Sequence, residues 1–259
     1  MDEAPIRRAP GDWPDDLLIA AAFLTRMPIP TPAVLPGRLA QASWAFPLVG
    51  VGVGLLGGLA YAFAAWLGLP TLAAALIAVA GTAALTGALH EDGLADTADG
   101  FGGGATPEAK LSIMRDSRSG AYGVLALIFS VALRAAAIAA VGDGARVTGA
   151  LVAAHAVGRG GLPLVLRALN AARADGLGAD CGRPEAVIAW TAAAIAGIVA
   201  LLALGFAPGV GALICAAAVM ALLAVLAHRQ IGGYTGDVLG AIEQGGEIVM
   251  VLTASSWLM

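Results

Sequence analysis

The sequence predicts an all-α, polytopic integral membrane protein: a helical bundle of about six to seven transmembrane helices with long polar loops on the cytoplasmic face. Hydrophobic residues make up 59% of the 259 residues and charged residues only 12%, whereas soluble domains have about 45–50% and about 25%. The 36 glycines fit closely packed membrane helices, in which small residues let backbones approach. Long runs without a charged residue match the length of membrane spans. A water-soluble globule is therefore excluded.

Composition also excludes several function classes. The net charge of −4 offers no basic surface, so no nucleic-acid partner is expected. The two cysteines, Cys181 and Cys215, match neither a disulfide framework nor a metal-binding spacing. The first sixteen residues carry seven charges and the apolar run at 17–24 is short, so no secretory signal is expected. The later apolar segments are therefore expected to be permanent spans.

Six segments approach the length of about 20 apolar residues that a helical span needs. No Asp, Glu, Lys or Arg lies between Arg38 and His90 or between Glu185 and His228, and a glycine-proline turn divides each run into two spans. The predicted spans are 43–67, 72–89, 122–141, 147–166, 186–206 and 210–227. The twelve residues after Glu247 fit either a short half-span or an interfacial helix.

The connections between the predicted spans alternate between very short and long. The short turns are residues 68–71, 142–146 and 207–209, and the long polar connections are 90–121, 167–185 and 228–247. The long connections lie on the same face as the N-terminus and carry most of the arginines, whereas Arg146 alone lies on the opposite face. By the positive-inside rule the polar face is cytoplasmic. We therefore expect the active site to face the cytoplasm.

The most informative part of the chain is an acidic stripe, Asp92, Asp96 and Asp99, that directly follows a charge-free span. The spacing i, i+4, i+7 places these residues within about 60° of one another on a helix. Three neighbouring carboxylates repel one another unless a cation lies among them. With Glu91 they offer the hard oxygen ligands that Mg²⁺ or Mn²⁺ prefers. The pattern favours one or two metal ions that bind a diphosphate; a solvated acidic loop is the alternative.

A basic cluster of Lys110, Arg115 and Arg118 follows in the same polar segment. The two arginines are three residues apart and share a helical face, and guanidinium groups bind phosphate oxygens in a bidentate manner. Asp116 lies between them as a candidate metal ligand or arginine partner. Together the acidic and basic clusters favour a combined metal and phosphate site. The alternative interpretation of the basic cluster is positive charge that flanks a membrane span.

Other residues are weaker candidates. Gly102 and Gly103 belong to a glycine run that lets the backbone approach a ligand closely. Asp237 lies in a glycine-rich segment that fits either a site element or a reentrant turn. Arg159 lies within a predicted span, where charges usually face the protein interior and pair, and it is placed to reach the phosphate site. For Arg134, also within a span, we expect a structural partner, with a shifted span boundary as the alternative.

With these motifs the sequence resembles the cobalamin synthase family, the adenosylcobinamide-GDP ribazoletransferases, along nearly its whole length. The resemblance rests on an ordered set of segments: residues 23–30, 46–50, 91–104, 114–120, 172–178 and 232–241, the last followed by Glu243 and Glu247. We therefore expect a single membrane-embedded transferase domain over residues 1–259. Within it, residues 1–42 form a cytoplasmic or interfacial segment and residues 90–121 an acidic and basic active-site loop.

The resemblance implies a reaction. Adenosylcobinamide-GDP and α-ribazole, or its 5′-phosphate, give adenosylcobalamin, or its 5′-phosphate, and GMP, with Mg²⁺. A ribose hydroxyl attacks the phosphorus attached to cobinamide, and GMP leaves. We expect Asp92, Asp96 and Asp99, with Glu91 or Asp116, to hold the ion or ions that bridge the diphosphate.

The remaining expected roles concern phosphate and proton transfer. We expect Arg115, Arg118 and Lys110 to neutralise charge on the leaving GMP, with Arg159 as a further phosphate-binding residue. A carboxylate not fully engaged by metal accepts the hydroxyl proton, and Asp237 is a second candidate element of the site.

Two other functions stay open from the sequence. A CDP-alcohol phosphotransferase-like enzyme of phospholipid synthesis also uses an aspartate cluster and Mg²⁺, but the arginine of its motif is missing from residues 92–96. An ion-coupled transporter would place its acids near the midplane, whereas these lie at span ends. Membrane lipid is an expected partner. The glycines at 50, 54 and 58 permit a homo-oligomer and serve equally for packing within one chain.

Overall fold

The computed structural model describes residues 13–30, 38–176, 178 and 181–258, and in this part of the chain the regular structure is helical. The helices are α1 (Trp13–Leu24), α2 (Arg38–Ala42), a 3-10 turn (Ser43–Ala45), α3 (Phe46–Trp66), α4 (Thr71–Thr86), α5 (Leu89–Gly103), α6 (Pro107–Ile113), α7 (Ala121–Val141), α8 (Gly144–Ala168), α9 (Ala186–Leu204), α10 (Phe206–Ile231) and α11 (Gly236–Leu258). The predicted all-α class is confirmed.

In the described part of the chain, five helical segments are each long and apolar enough to cross a membrane. They are Arg38–Trp66, Ala121–Val141, Gly144–Ala168, Ala186–Leu204 and Phe206–Ile231. Helices α4 and α5 meet this criterion only as a pair, bent by 92° at the break between them. Each of the six predicted spans corresponds to one of these segments or to the bent pair. The chain is a polytopic membrane protein, and its described residues contain five such helices, or six if the pair counts as one span.

Glycines with positive φ end four of the long helices. Gly87, Gly142, Gly205 and Gly232 have φ between 66° and 84° and follow α4, α7, α9 and α10. A side chain on an L-residue crowds the backbone in this region, so glycine is the residue that ends a helix there without strain. The predicted turns near 142–146 and 207–209 lie at two of these positions, the second starting at Gly205 rather than at residue 207.

Two predicted loops are wrong. The connection expected at 228–247 is only four residues long, because α10 continues to Ile231 and α11 begins at Gly236. The chain after Glu247 is therefore neither a half-span nor a separate interfacial helix but the second half of α11, whose two glutamates are buried in the bundle. The active-site loop expected at 90–121 is mostly helical, since α5 and α6 occupy it.

Helix α8 lies at the centre of the bundle, and most of its residues are buried. Helix α3 packs directly against it through the glycines at 50, 54 and 58. A Cβ added at Gly54 would lie 2.5 Å from the Cα atom of Val152, so only glycine permits this contact. The regular glycine spacing thus serves helix packing within the chain.

Helix α1 packs against the start of α3. The carboxylate of Asp16 accepts hydrogen bonds from Trp44 Nε1 at 2.9 Å and Arg38 Nη2 at 3.2 Å. The rings of Phe23 and Phe46 stack with centroids 6.0 Å apart and planes 18° from parallel. These contacts hold α1 beside the end of the bundle where the acidic stripe begins.

Candidate active site

The site begins where α5 crosses α11. A Cβ at Gly93 would lie 2.6 Å from the carbonyl oxygen of Asp237, and one at Gly240 would lie 3.2 Å from the Cα atoms of His90 and Gly93. Because neither helix has a side chain at the crossing, their backbones touch. This close approach brings Asp92 of α5 and Asp237 of α11 to the same cavity.

The cavity has a volume of about 250 Å³ and lies between α1, α3, α5, α8 and α11. Its polar lining residues include Asp92, Arg173 and Asp237, and its apolar side is formed mainly by phenylalanine and leucine side chains. The full lining is Phe23, Phe46, Leu89, His90, Asp92, Gly93, Leu162, Leu166, Arg173, Gly178, Cys181, Gly236, Asp237, Leu239 and Gly240. It therefore combines carboxylates, a guanidinium group and an apolar wall.

Arg173 reaches this cavity because two chain segments pair just before α11. The N–H of Tyr234 donates to the carbonyl of Asn170 at 3.0 Å, and the N–H of Ala172 donates to the carbonyl of Tyr234 at 2.8 Å. Arg173 Nη2 then lies 3.4 Å from Asp237 Oδ2, and its buried Nη1 has no hydrogen-bond partner in the described part of the protein. A buried donor without a partner is costly, so Arg173 offers a place for an anionic ligand atom.

Asp96 lies close to this group. Its carboxylate interacts electrostatically with those of Asp92, Asp237 and Asp99, and with the Arg173 guanidinium. Among the residues described, Asp92, Asp96 and Asp99 do not bring three ligand atoms within 4.8 Å of one another. These aspartates nevertheless offer hard carboxylate oxygens, and their negative charges outnumber the single positive charge of the nearby Arg173. This is the chemistry that suits Mg²⁺.

Asp99 has a different environment. Its carboxylate accepts hydrogen bonds from the backbone N–H groups of Gly120 at 2.6 Å and Gly123 at 2.9 Å. Those groups belong to the first turn of α7, where backbone N–H groups lack helical partners. A Cβ at Gly123 would contact this carboxylate closely. Asp99 thus caps α7, although helical spacing places it on one stripe with Asp92 and Asp96.

Glu91 belongs to a buried ionic network that joins α5, α7, α8 and α11. Its Oε1 lies 3.2 Å from both terminal nitrogens of Arg134, and Arg134 Nη1 also donates to Glu247 Oε1 at 2.8 Å. His155 Nδ1 lies 2.8 Å from Glu247 Oε2. The structural partner expected for Arg134 is therefore confirmed, and it consists of two carboxylates.

Arg159 lies in the same network. His155, Glu243 and Glu247 place three potential ligand atoms within 4.8 Å of one another, the one such group in the described residues. Arg159 Nη1 lies among them, 2.5 Å from Glu243 Oε1 and 3.0 Å from His155 Nδ1. The guanidinium thus lies where a metal ion bound by these three residues would lie. Its Nη2 lies 3.4 Å from His90 Nδ1, and His90 itself lines the cavity.

The basic cluster has partners outside the cavity. Arg115 Nη2 donates to Asp175 Oδ1 at 2.5 Å on the surface. Lys110 is buried, and its Nζ donates to the Gly104 carbonyl at 2.7 Å. Hydrogen bonds from the Arg118 side chain and backbone lower the pKa of Asp116 to about 2.

A separate depression contains four of the predicted residues, Asp99, Gly103, Asp116 and Arg118. Its lining consists of Asp99, Gly103, Ile113, Asp116, Arg118, Ser119, Gly120, Ala121 and Tyr122. Gly102 packs against the Tyr122 ring, which a Cβ would meet at 2.6 Å. The structure thus places Asp92 and Asp237 at the cavity, with Asp96 near enough to interact with both electrostatically. Among the described residues these three carboxylates do not bring their ligand atoms within 4.8 Å of one another. Glu91 and Arg159 lie in the buried network, and Asp116 and Arg118 line the separate depression.

Sequence reasoning did not select Arg173, His90, Phe23 or Phe46 as site residues. Arg173, Phe23 and Phe46 lie in segments that carry the family resemblance, which was the one available signal. Nothing in their local spacing indicates that α1, α3 and the segment after α8 meet at one cavity.

Comparison with known proteins supports the resemblance. Residues 16–255 match the family described as cobalamin-5-phosphate synthase. A relative from Bradyrhizobium diazoefficiens, named adenosylcobinamide-GDP ribazoletransferase, is 51% identical over 246 residues, which cover 94% of each chain. A relative of the same name from Mesorhizobium japonicum is 44% identical over 241 residues, 93% of each chain. No solved structure gives a significant match. The chain therefore belongs to the cobalamin-5-phosphate synthase family.

Proposed function

We propose that this protein transfers the phosphocobinamide group of adenosylcobinamide-GDP to α-ribazole or its 5′-phosphate. The products are GMP and adenosylcobalamin or its 5′-phosphate. Family membership and the shared name of the relatives support this reaction. The observation that carries it in this chain is the cavity lined by Asp92, Asp237 and Arg173, whose Nη1 has no hydrogen-bond partner among the described residues.

The reaction exchanges the phosphoanhydride bond of the diphosphate for a new phosphate ester bond. A ribose hydroxyl oxygen of α-ribazole bonds to the phosphorus that carries cobinamide, and the bond from that phosphorus to the bridging oxygen breaks. GMP leaves with the bridging oxygen, and the hydroxyl proton passes to a carboxylate of the site. Charge neutralisation and alignment dominate the catalysis of such transfers.

Mg²⁺, with Mn²⁺ as a substitute, is the proposed cofactor. Asp92, Asp96 and Asp237 are the residues that would hold it, because Asp92 and Asp237 line the cavity and Asp96 interacts with both. Glu91 is instead bound to Arg134 in the buried network, and Asp99 caps α7. A bound divalent ion would polarise and neutralise the diphosphate oxygens. Arg173 supplies a further positive charge, and its Nη1, which lacks a partner in the part of the chain that the structure describes, would donate to a phosphate oxygen.

We propose that the protein resides in the bacterial inner membrane with the cavity open toward the cytoplasm. The apolar helices support a membrane location, and the positive-inside rule supports the orientation. A periplasmic reporter such as alkaline phosphatase fused after Gly144 is expected to be active, whereas one fused after Asp175 is expected to be inactive. The opposite pattern would reverse the proposed orientation.

Purified protein in detergent, or in vesicles, tests the activity. With Mg²⁺ and adenosylcobinamide-GDP, we expect GMP release only when α-ribazole or its 5′-phosphate is added, together with an equal amount of the cobalamin product. Chelation of the metal should abolish release. The matched control is Asp92→Asn, purified identically. Absence of release across detergents and both metals, or transfer from a CDP-alcohol instead, would overturn the proposal.

A further inference from the structure

The cavity is chemically divided. Its polar side carries Asp92, Arg173 and Asp237. The rest is mainly apolar and comes from five helices: Phe23 and Phe46, with their stacked rings, and the leucines Leu89, Leu162, Leu166 and Leu239. A ligand that fits both parts needs a flat apolar group joined to a polar, anionic or hydroxyl-bearing group.

The size of the cavity restricts the choice further. Its volume of about 250 Å³ lies below the roughly 300–1,000 Å³ of typical pockets for drug-sized ligands. A corrin macrocycle is far larger than such ligands and cannot enter. One fused bicyclic ring with part of an attached sugar is compatible with this volume.

We infer that the apolar part of the cavity, formed by Phe23, Phe46 and the four leucines, binds the planar aromatic base of the nucleoside substrate. This inference rests on the proposed function, in which the acceptor is a benzimidazole nucleoside. Aromatic rings associate favourably with other rings in offset or edge-to-face arrangements, and aliphatic side chains cover the rest of a flat base without requiring hydrogen bonds. The base occupies the apolar part, and the ribose remains at the polar side.

This placement orients both substrates. With the base against Phe23 and Phe46, the ribose hydroxyl faces Asp92 and Asp237, where the proposed phosphoryl transfer takes place. The corrinoid approaches from outside the cavity with its diphosphate toward Arg173. The apolar part therefore determines recognition of the nucleoside and makes no contribution to binding of the corrinoid.

Phe23→Ala tests the assignment, with Phe63→Ala as the matched control. Phe23 is partly buried at the cavity, whereas Phe63 of α3 is 58% exposed on the outer surface. We expect Phe23→Ala to raise the KM for α-ribazole about tenfold and to leave the KM for adenosylcobinamide-GDP within twofold. Phe63→Ala should change neither value.

A second variant and a binding measurement guard against a general folding defect. Leu89→Phe adds volume to the cavity wall instead of removing it. Calorimetry in the absence of the corrinoid substrate compares the affinity of the protein for α-ribazole 5′-phosphate with its affinity for ribose 5-phosphate, which lacks the base. The wild type should prefer the nucleotide, and both Phe23→Ala and Leu89→Phe should reduce that preference.

The outcomes separate the two proposals. The base-binding assignment alone would be overturned if Phe23→Ala changed both KM values equally. It would also be overturned if Phe23→Ala and Leu89→Phe remained active and kept the wild-type preference for α-ribazole 5′-phosphate over ribose 5-phosphate. If the wild type neither binds α-ribazole nor releases GMP in its presence, the proposed function fails and the base-binding assignment fails with it.

Discussion

The guanidinium of Arg134 lies 2.8 Å from the carboxylate of Glu247, although the two residues are 113 positions apart and both are buried in the bundle. This ion pair links α7 to α11. Helix α11 carries three acidic residues, and two of them are completely buried. Burial of a charge is tolerated where an opposite charge and hydrogen bonds compensate its lost hydration. The pair therefore explains how a helix with buried glutamates is accommodated among apolar helices.

Removal of Arg134 should destabilise the protein strongly. Arg134→Met leaves Glu91 and Glu247 without their shared guanidinium, and breaking a buried pair in this way costs about 3–5 kcal/mol. Thermal unfolding in detergent should show a much lower midpoint for Arg134→Met, and Arg134→Lys should retain part of the stability. Arg146→Ala is the control, since Arg146 is exposed and its side chain contacts only a backbone carbonyl, that of Leu258, in the described structure. A midpoint for Arg134→Met equal to wild type would contradict this account.

Asp92→Asn, Asp96→Asn and Asp237→Asn should each lower turnover by orders of magnitude. The amide keeps the shape of the side chain but loses the negative charge that metal binding requires. Expression level and unfolding temperature should stay near wild type. Asp116→Asn serves as the comparison, because its carboxylate pairs with Arg118 on the surface. Near-wild-type turnover in the first three variants would place the metal site elsewhere.

Asp99 should contribute to stability more than to chemistry. Its carboxylate caps α7 through the N–H groups of Gly120 and Gly123. Loss of a cap costs about 0.5–2 kcal/mol, so Asp99→Ala should unfold at a lower temperature. Asp99→Asn retains an acceptor oxygen and should keep most of the stability and activity. Complete inactivation of Asp99→Asn with an unchanged unfolding temperature would instead indicate a metal ligand.

Gly93→Ala should separate α5 from α11. The added Cβ would lie 2.6 Å from the Asp237 carbonyl oxygen, and such overpacking costs about 1–3 kcal/mol. The displacement moves Asp92 away from Asp237, so we expect turnover to fall at least tenfold. Gly52→Ala is the matched control, since a Cβ there meets no atom within 4 Å. Equal activity of the two variants would show that the close crossing is not required.

The local sequence determined the membrane spans and the candidate chemistry. Charge-free runs identify spans because the transfer of a residue into lipid depends mainly on its own side chain. The helical spacing of Asp92 and Asp96 likewise follows from neighbouring positions alone. The family resemblance, confirmed by the comparisons, came from motifs that can be read in order along the chain.

Only the tertiary structure decided which charged residues remain available to a ligand. Glu91 is paired with Arg134, and Asp99 with the first turn of α7. These partners are distant in sequence, so spacing along one helix does not reveal them. Asp237 and Arg173 join Asp92 because glycines let α5 and α11 touch and because two segments pair before α11. The physical reason is that a carboxylate's availability depends on all the groups packed around it, and chain folding brings those groups together.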